Sequence, residues 1–195
     1  MTLDSVRITG QPEIDRYLTR SVESAAMLVN GLTVTTAHGR PVTPPSSPEA
    51  RLAAILAHSP SAGLSPADAD HLAGVAVQLA PAFRTGEPAE PVAARLNDLL
   101  VRHGAVPNLH GAPGGPLVLA FHRPDATLAD AWAADLGAAL VMVIGLGQAA
   151  RLGRCRADGC DLVFFDSTRN TSRHFCDLSC QNRAKASAYR ARRRG

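Results

Sequence analysis

Cys155-Arg156-Ala157-Asp158-Gly159-Cys160 and Cys176-Asp177-Leu178-Ser179-Cys180 hold all four cysteines of this chain. The second pair runs straight into Gln181-Asn182-Arg183-Ala184-Lys185 and the arginine-rich end Arg190 to Arg194. Two close pairs separated by fifteen residues suit one tetrahedral metal ion, because each pair reaches two corners while the intervening loop folds back. Four thiolates leave no open corner, so the ion is expected to be a structural zinc, one per chain. Disulfides would require an oxidising compartment, and Met1-Thr2-Leu3-Asp4 begins no signal peptide, so a cytoplasmic protein is expected. Neither pair has the C-x-x-C spacing of a redox motif. His174 is a possible substitute ligand, although four cysteines already suffice.

Between the pairs, Leu162-Val163-Phe164-Phe165 reads as a strand, Asp166 to Arg173 as a segment turning at Arg169-Asn170-Thr171, and His174-Phe175 as a second short strand. Cys176 then sits beside a helix start, with Cys180 one turn inside it. A knuckle, a hairpin and a helix that supplies the last two ligands make a small treble-clef-like zinc finger. The run from Arg154 through Cys160-Asp161-Leu162, Asp166-Ser167-Thr168-Arg169-Asn170, Cys176 and Cys180-Gln181-Asn182-Arg183-Ala184-Lys185 is similar to the bacterial CGNR zinc finger, Gln181 standing where that family has Gly. The resemblance covers about 40 residues. It implies an N-terminal ABATE domain and a role among stress-related transcription regulators. The preceding residues are similar to that domain only in outline.

Charge divides the chain in the same place. Residues 151–195 hold ten Arg and one Lys against four Asp, a net of +7, whereas residues 1–150 carry a net of −4. Such segregation is the electrostatic footprint of a nucleic-acid-binding module joined to an acidic partner domain. The Arg-over-Lys excess reflects a GC-rich bacterial genome and says nothing about base reading. A helix from Cys180 onward groups Arg183, Arg190 and Arg194 on one face and Lys185 and Arg192 on a neighbouring one, with Arg193 beside them. Arg169 and Arg173 on the hairpin could add phosphate contacts, and Asn182 could meet a base edge or brace the knuckle.

The first 152 residues read as mostly helical with one hairpin, ahead of a finger spanning 153–195. Ser47-Pro48-Glu49 and Ser65-Pro66-Ala67-Asp68 each place a capping Ser before a Pro and an acid in the first turn. After the second, Leu72, Val75, Ala76, Leu79 and Phe83 share a face, and Pro81 ends or kinks the helix. Pro91 opens another, striped by Val92, Leu96, Leu99 and Leu100. Thr127 with Asp130 opens the longest, with Trp132, Leu136, Ala139, Leu140, Val143 and Leu146 expected inward. Leu117-x-Leu119-x-Phe121 is a strand, with Asn108-Leu109-His110 as its partner across the Gly111 to Gly115 turn. Pro41 to Pro48 reads as an exposed loop. The most apolar run, Leu136 to Ala150, is too short for a bilayer, which needs roughly 20 residues, and reads as a buried helix.

The helical part encodes its task poorly. No nucleophile elbow, phosphate-cradling glycine loop or HExxH is present, so no enzymatic activity is expected. Its histidines show no paired metal spacing. Asn30, ending the apolar run Ala25 to Val29, and Trp132 are candidates for an effector pocket, a helix cap and a core position being the plainer readings. The expectation is a DNA-binding transcription regulator in which the finger contacts DNA and the helical domain mediates homodimerisation or response to a small effector. The competing reading is a zinc-dependent interaction module that binds RNA or an acidic protein.

Overall fold

Ser47, Ser65 and Thr127 act as predicted, each hydroxyl accepting a backbone N–H three residues on. Ser65 and Asp68 close a full capping box. In the computed structural model, which describes residues 8–60, 63–83, 89–111 and 114–193, these caps start α2 (Pro48–Leu56), α3 (Pro66–Leu79) and α5 (Leu128–Gly145). The other helices are α1 (Pro12–Leu32), α4 (Ala89–Arg102) and α6 (Leu178–Arg192). Pro81 ends α3, and the chain tightens into a 3-10 turn over Ala80–Phe83.

The core lies where α1, α3, α4 and α5 meet. Leu18, Val22, Leu28, Leu72, Leu79, Phe83, Leu96, Leu99 and Leu140 are fully buried there. The α5 helix is apolar nearly all round because it is the central element: Ala133, Ala134, Gly137, Ala138 and Ala139 are buried beside Leu136, Leu140 and Val143. It is long and apolar enough to cross a membrane by length and composition, but here neighbouring helices take that surface. Gly137 permits the closest approach, since a Cβ there would meet Leu99 Cδ2 at 2.5 Å. Leu146, expected inward, is half exposed because it follows the last helical turn.

Among the described residues, three two-stranded antiparallel ladders complete the fold. The predicted hairpin is present, with β3 (Asn108–His110) paired to β4 (Val118–Ala120); residues 112 and 113 of its turn lie outside the described residues. Two features differ from expectation. A further hairpin joins β1 (Thr36–Ala37) to β2 (Arg40–Pro41) through His38-Gly39, whose φ angles of 53° and 79° are those of a tight turn with two left-handed residues. In the finger, β6 (Val163–Phe165) pairs with β5 (Leu152–Arg154) upstream, not with His174-Phe175. Cys155 N–H donating to Leu162 O (2.8 Å) and Asp166 N–H to Arg151 O (2.7 Å) extend that ladder at both ends, making the first cysteine pair the turn of the hairpin. His174 contributes one bond, its carbonyl accepting Arg156 N–H at 3.0 Å. Leu152, Val163 and Phe165 bury their side chains in the same core as the helices, and α1 packs along β6.

Candidate metal centre and its supports

The Sγ atoms of Cys155, Cys160, Cys176 and Cys180 all lie within 4.8 Å of one another, and none is in a disulfide. Cys160 and Cys176 sulfurs are 3.8 Å apart. A tetrahedral ion with metal–sulfur bonds of about 2.3 Å needs sulfurs about 3.8 Å apart, a spacing that the Cys160–Cys176 pair meets and that the remaining pairs approach within 4.8 Å. Burial pushes the Cys180 thiol up to about 11 and, aided by the neighbouring sulfurs, lifts Cys176 far above its ordinary value. Thiols so crowded lose their protons together only when a cation takes their place. At Cys160 burial also raises the thiol, but hydrogen bonds from the backbone of His38 and Leu162 outweigh it and hold the group low. The four cysteines are thus positioned to bind a metal ion.

The centre has a wall that the cysteine spacing does not reveal. The β1–β2 turn docks on the first cysteine pair through Gly39 N–H to Gly159 O and Asp161 N–H to Thr36 O, both 2.8 Å. His38 sits with Nδ1 3.5 Å from Cys180 Sγ and 3.6 Å from Asp177 Oδ2. The histidine beside the cysteines is therefore His38, and His174 belongs to no metal-ligating cluster among the described residues. Asp177 caps α6 by accepting Cys180 N–H at 2.9 Å, fixing the turn that carries the last two ligands.

Asn30 lies in the last turn of α1 and is no cap: Nδ2 donates to Val163 O (2.9 Å) while Oδ1 accepts Val163 N–H (2.8 Å). Val163 opposes Arg154 at a non-hydrogen-bonded position of the ladder, so both its backbone groups turn away from β5 and toward the helix. Asn30 also borders a cavity of about 410 Å³ with Glu23, Met27, His58, Phe164 and Arg173. Trp132 is not in that lining; it packs against the helical core.

The predicted DNA contacts divide into two groups. Arg173 is a latch. Its guanidinium stacks on Phe164 at 4.6 Å, and donates from Nε to Phe175 O (3.0 Å), from Nη1 to Phe165 O (3.3 Å) and from Nη2 to Cys176 O. Arg183 is likewise held, donating from Nη2 to Asp158 O at 2.7 Å and lying over Gly39 where a side chain would collide with it. Arg169, Asn182, Lys185, Arg190 and Arg192 are exposed and make no side-chain bond among the described residues. Arg193 is exposed and rests 5.8 Å from the Tyr189 ring; Arg194 lies outside the described residues. From Lys185 to Arg193 every residue of the helical arm is exposed.

Two internal groups had no sequence signal beyond their charge. Buried Arg151 donates from Nη1 to Asp166 O (2.9 Å) and Thr168 O (2.8 Å). Asp166, also buried, accepts Thr168 N–H, Thr168 Oγ1–H and Arg173 N–H at 2.8, 2.6 and 2.7 Å. Burial raises its carboxyl, but these donors and the Arg151 charge outweigh that and hold it below the usual carboxylate range.

Residues 151–193 match the CGNR zinc finger family. No curated protein matches the chain.

Proposed function

We propose that this chain is a bacterial DNA-binding transcription regulator whose finger, loaded with zinc, presents α6 to the duplex. The observation that carries the reading is the arm itself. The α6 helix runs fifteen residues, more than three turns, is fixed at its first turn by Cys180 and the Asp177 cap, and then leaves the body of the protein with Asn182, Lys185, Arg190, Arg192 and Arg193 exposed. An isolated helix of that length is marginal in water, and a polyanion along it would supply the missing partner. Arg169 adds a cation on the neighbouring loop. The roles of Arg173 and Arg183 are to build the finger that holds the arm.

The same reading gives the helical part homodimerisation or effector response, without catalysis, in the cytoplasm. Because α5 is internal, the dimer face is assigned to the β3–β4 hairpin, whose Leu109, Leu117 and Val118 are 64, 65 and 54 % exposed. Exposed Leu178 and Tyr189 on α6 favour the second reading, an RNA or acidic protein partner for the arm. Titration of the full metal-loaded chain into labelled duplex across a salt series separates the two. With the five exposed cations Arg169, Lys185, Arg190, Arg192 and Arg193 on phosphates the slope of log affinity against log salt is about −4.5, and Arg190→Ala or Arg192→Ala reduces its magnitude by about 1. Duplex binding that ignores both substitutions, or that loses to an RNA or protein competitor, removes the DNA reading.

A further inference from the structure

A second group of metal-ligating side chains lies in the helical part, remote in sequence from the cysteines. His71 comes from α3, His103 from the residue after α4, and Asp130 from the first turn of α5. Their ligand atoms lie within 4.8 Å of one another. His103 Nδ1 is 2.8 Å and His71 Nε2 3.8 Å from the same oxygen, Asp130 Oδ1. The two rings meet edge to face with centroids 5.1 Å apart. We propose that His71, His103 and Asp130 form a binding site for a divalent first-row transition-metal ion.

A His103–Asp130 hydrogen bond accounts for the 2.8 Å contact and an ion pair with protonated His71 for the 3.8 Å one; a bound cation would account for both at once. Two imidazoles and one carboxylate converging on a point are the donor set that zinc, cobalt, nickel and iron prefer. His71 is too far from Oδ1 for a hydrogen bond, yet an ion between them, bonded to each at about 2.0–2.2 Å, spans that gap. His103 is 3 % exposed at its side chain, and its Nε2 is the buried side-chain atom left without a hydrogen-bond partner among the described residues. Nδ1, not Nε2, is the nitrogen that faces Asp130 and His71, so Nδ1 is the ligand atom His103 would offer and Nε2 points away from the ion. Asp130 is aimed in turn: Thr127 Oγ1–H donates to its other oxygen at 2.6 Å.

Asp130 and His71 are 35 and 44 % exposed at their side chains, so the ion has a solvent-side entrance and a corner left for water. Binding would tie α3, α4 and α5 together. As a metal site this stands independently of DNA binding; only its use as the effector site rests on the regulatory reading.

The test is a titration of the full chain with Co²⁺ after the cysteine centre is filled. The expected result is a second equivalent bound, with weak visible absorption and no added sulfur-to-cobalt charge transfer, and with paramagnetic loss of amide signals around residues 71, 103 and 130. His71→Ala, at an exposed position, should weaken the second equivalent by more than about 100-fold, since even outer-shell changes cost 10–100-fold, while leaving the thiolate spectrum unchanged. Stoichiometry that stays at one ion, or a second ion that His71→Ala holds as tightly, overturns the site. Should His71→Ala fold poorly, the location of the paramagnetic signal loss in the unmodified chain decides alone: loss confined elsewhere overturns the proposal. Loss of DNA binding with the second ion still bound would overturn only the regulatory reading.

Discussion

Replacing Asn30 with Ala removes the side chain that meets both outward-facing backbone groups of Val163, at 2.8 and 2.9 Å. Val163 is 5 % exposed, so water replaces those bonds poorly. Each buried backbone group left unpaired costs about 1–3 kcal/mol, and the neighbouring cavity admits some water, so the total falls near the lower end, about 3 kcal/mol for the two. For a chain of this length that corresponds to a loss of about 6–12 °C in melting temperature. The assay is thermal and urea unfolding of the full metal-loaded chain, followed by circular dichroism. Asn30→Asp is the informative companion: it still accepts Val163 N–H but turns a carboxylate oxygen on the Val163 carbonyl, and it should be no better than Ala. If Asn30→Ala unfolds within about 0.5 kcal/mol of the unmodified chain, the amide is a surface ornament and the junction of α1 with β6 rests on apolar packing alone.

Metal removal, or Cys176→Ser, should melt α6 and open residues 155–193 to proteases, because the cage supplies most of what that small segment needs to fold; α1 to α5 should stay helical, as far-UV circular dichroism would register. For Asp166, the folded carboxyl lies below its unfolded value near 3.8, so its contribution is present in full above that value and is lost as pH falls through the lower, folded one. Asp166→Asn should therefore lower the melting temperature at pH 7 and converge with the unmodified chain in strong acid; because acid also strips the thiolates of both, the quantity to follow is the difference between the two melts.

Helix caps and cysteine spacing were legible in the sequence; the His38-Gly39 turn, the extent of α1 and the distant contacts were not. A capping hydroxyl with an acid in the first turn marks a helix start, reinforced by a proline after Ser47 and Ser65, so these two and Thr127 could be read without any partner. Cysteine spacing likewise says which side chains converge. It does not say which strand pairs with Val163 to Phe165, because that choice depends on Leu152 and Phe165 sharing the helical core. His38 reaches Cys180 across 142 residues, with no spacing rule to announce it. Arg173 and Arg183 look in sequence like Arg190 and Arg192, since charge is visible and geometry is not. A guanidinium has donors enough to tie several carbonyls of an irregular loop, and Arg173 ties three and Arg151 two in this way, while Arg183 holds one.

That division of the arginines bears on how the two parts of the chain communicate. The finger is closed on one side by its own cysteines and on the other by elements that precede it: the β1–β2 turn against the first cysteine pair, Arg183 over Gly39, and Asn30 on Val163. None of these contacts can form until α1 and the hairpin after it are in place. On the proposed regulatory reading, a ligand or partner that shifts α1 would act on the cage and the α6 arm through these hydrogen bonds. Coupling of that kind requires a different affinity for the two arrangements of the helices. The proposed His71–His103–Asp130 site, which draws on α3 and α5, both packed on α1, and on the end of α4, which packs on α3 and α5, is a place where binding could produce one.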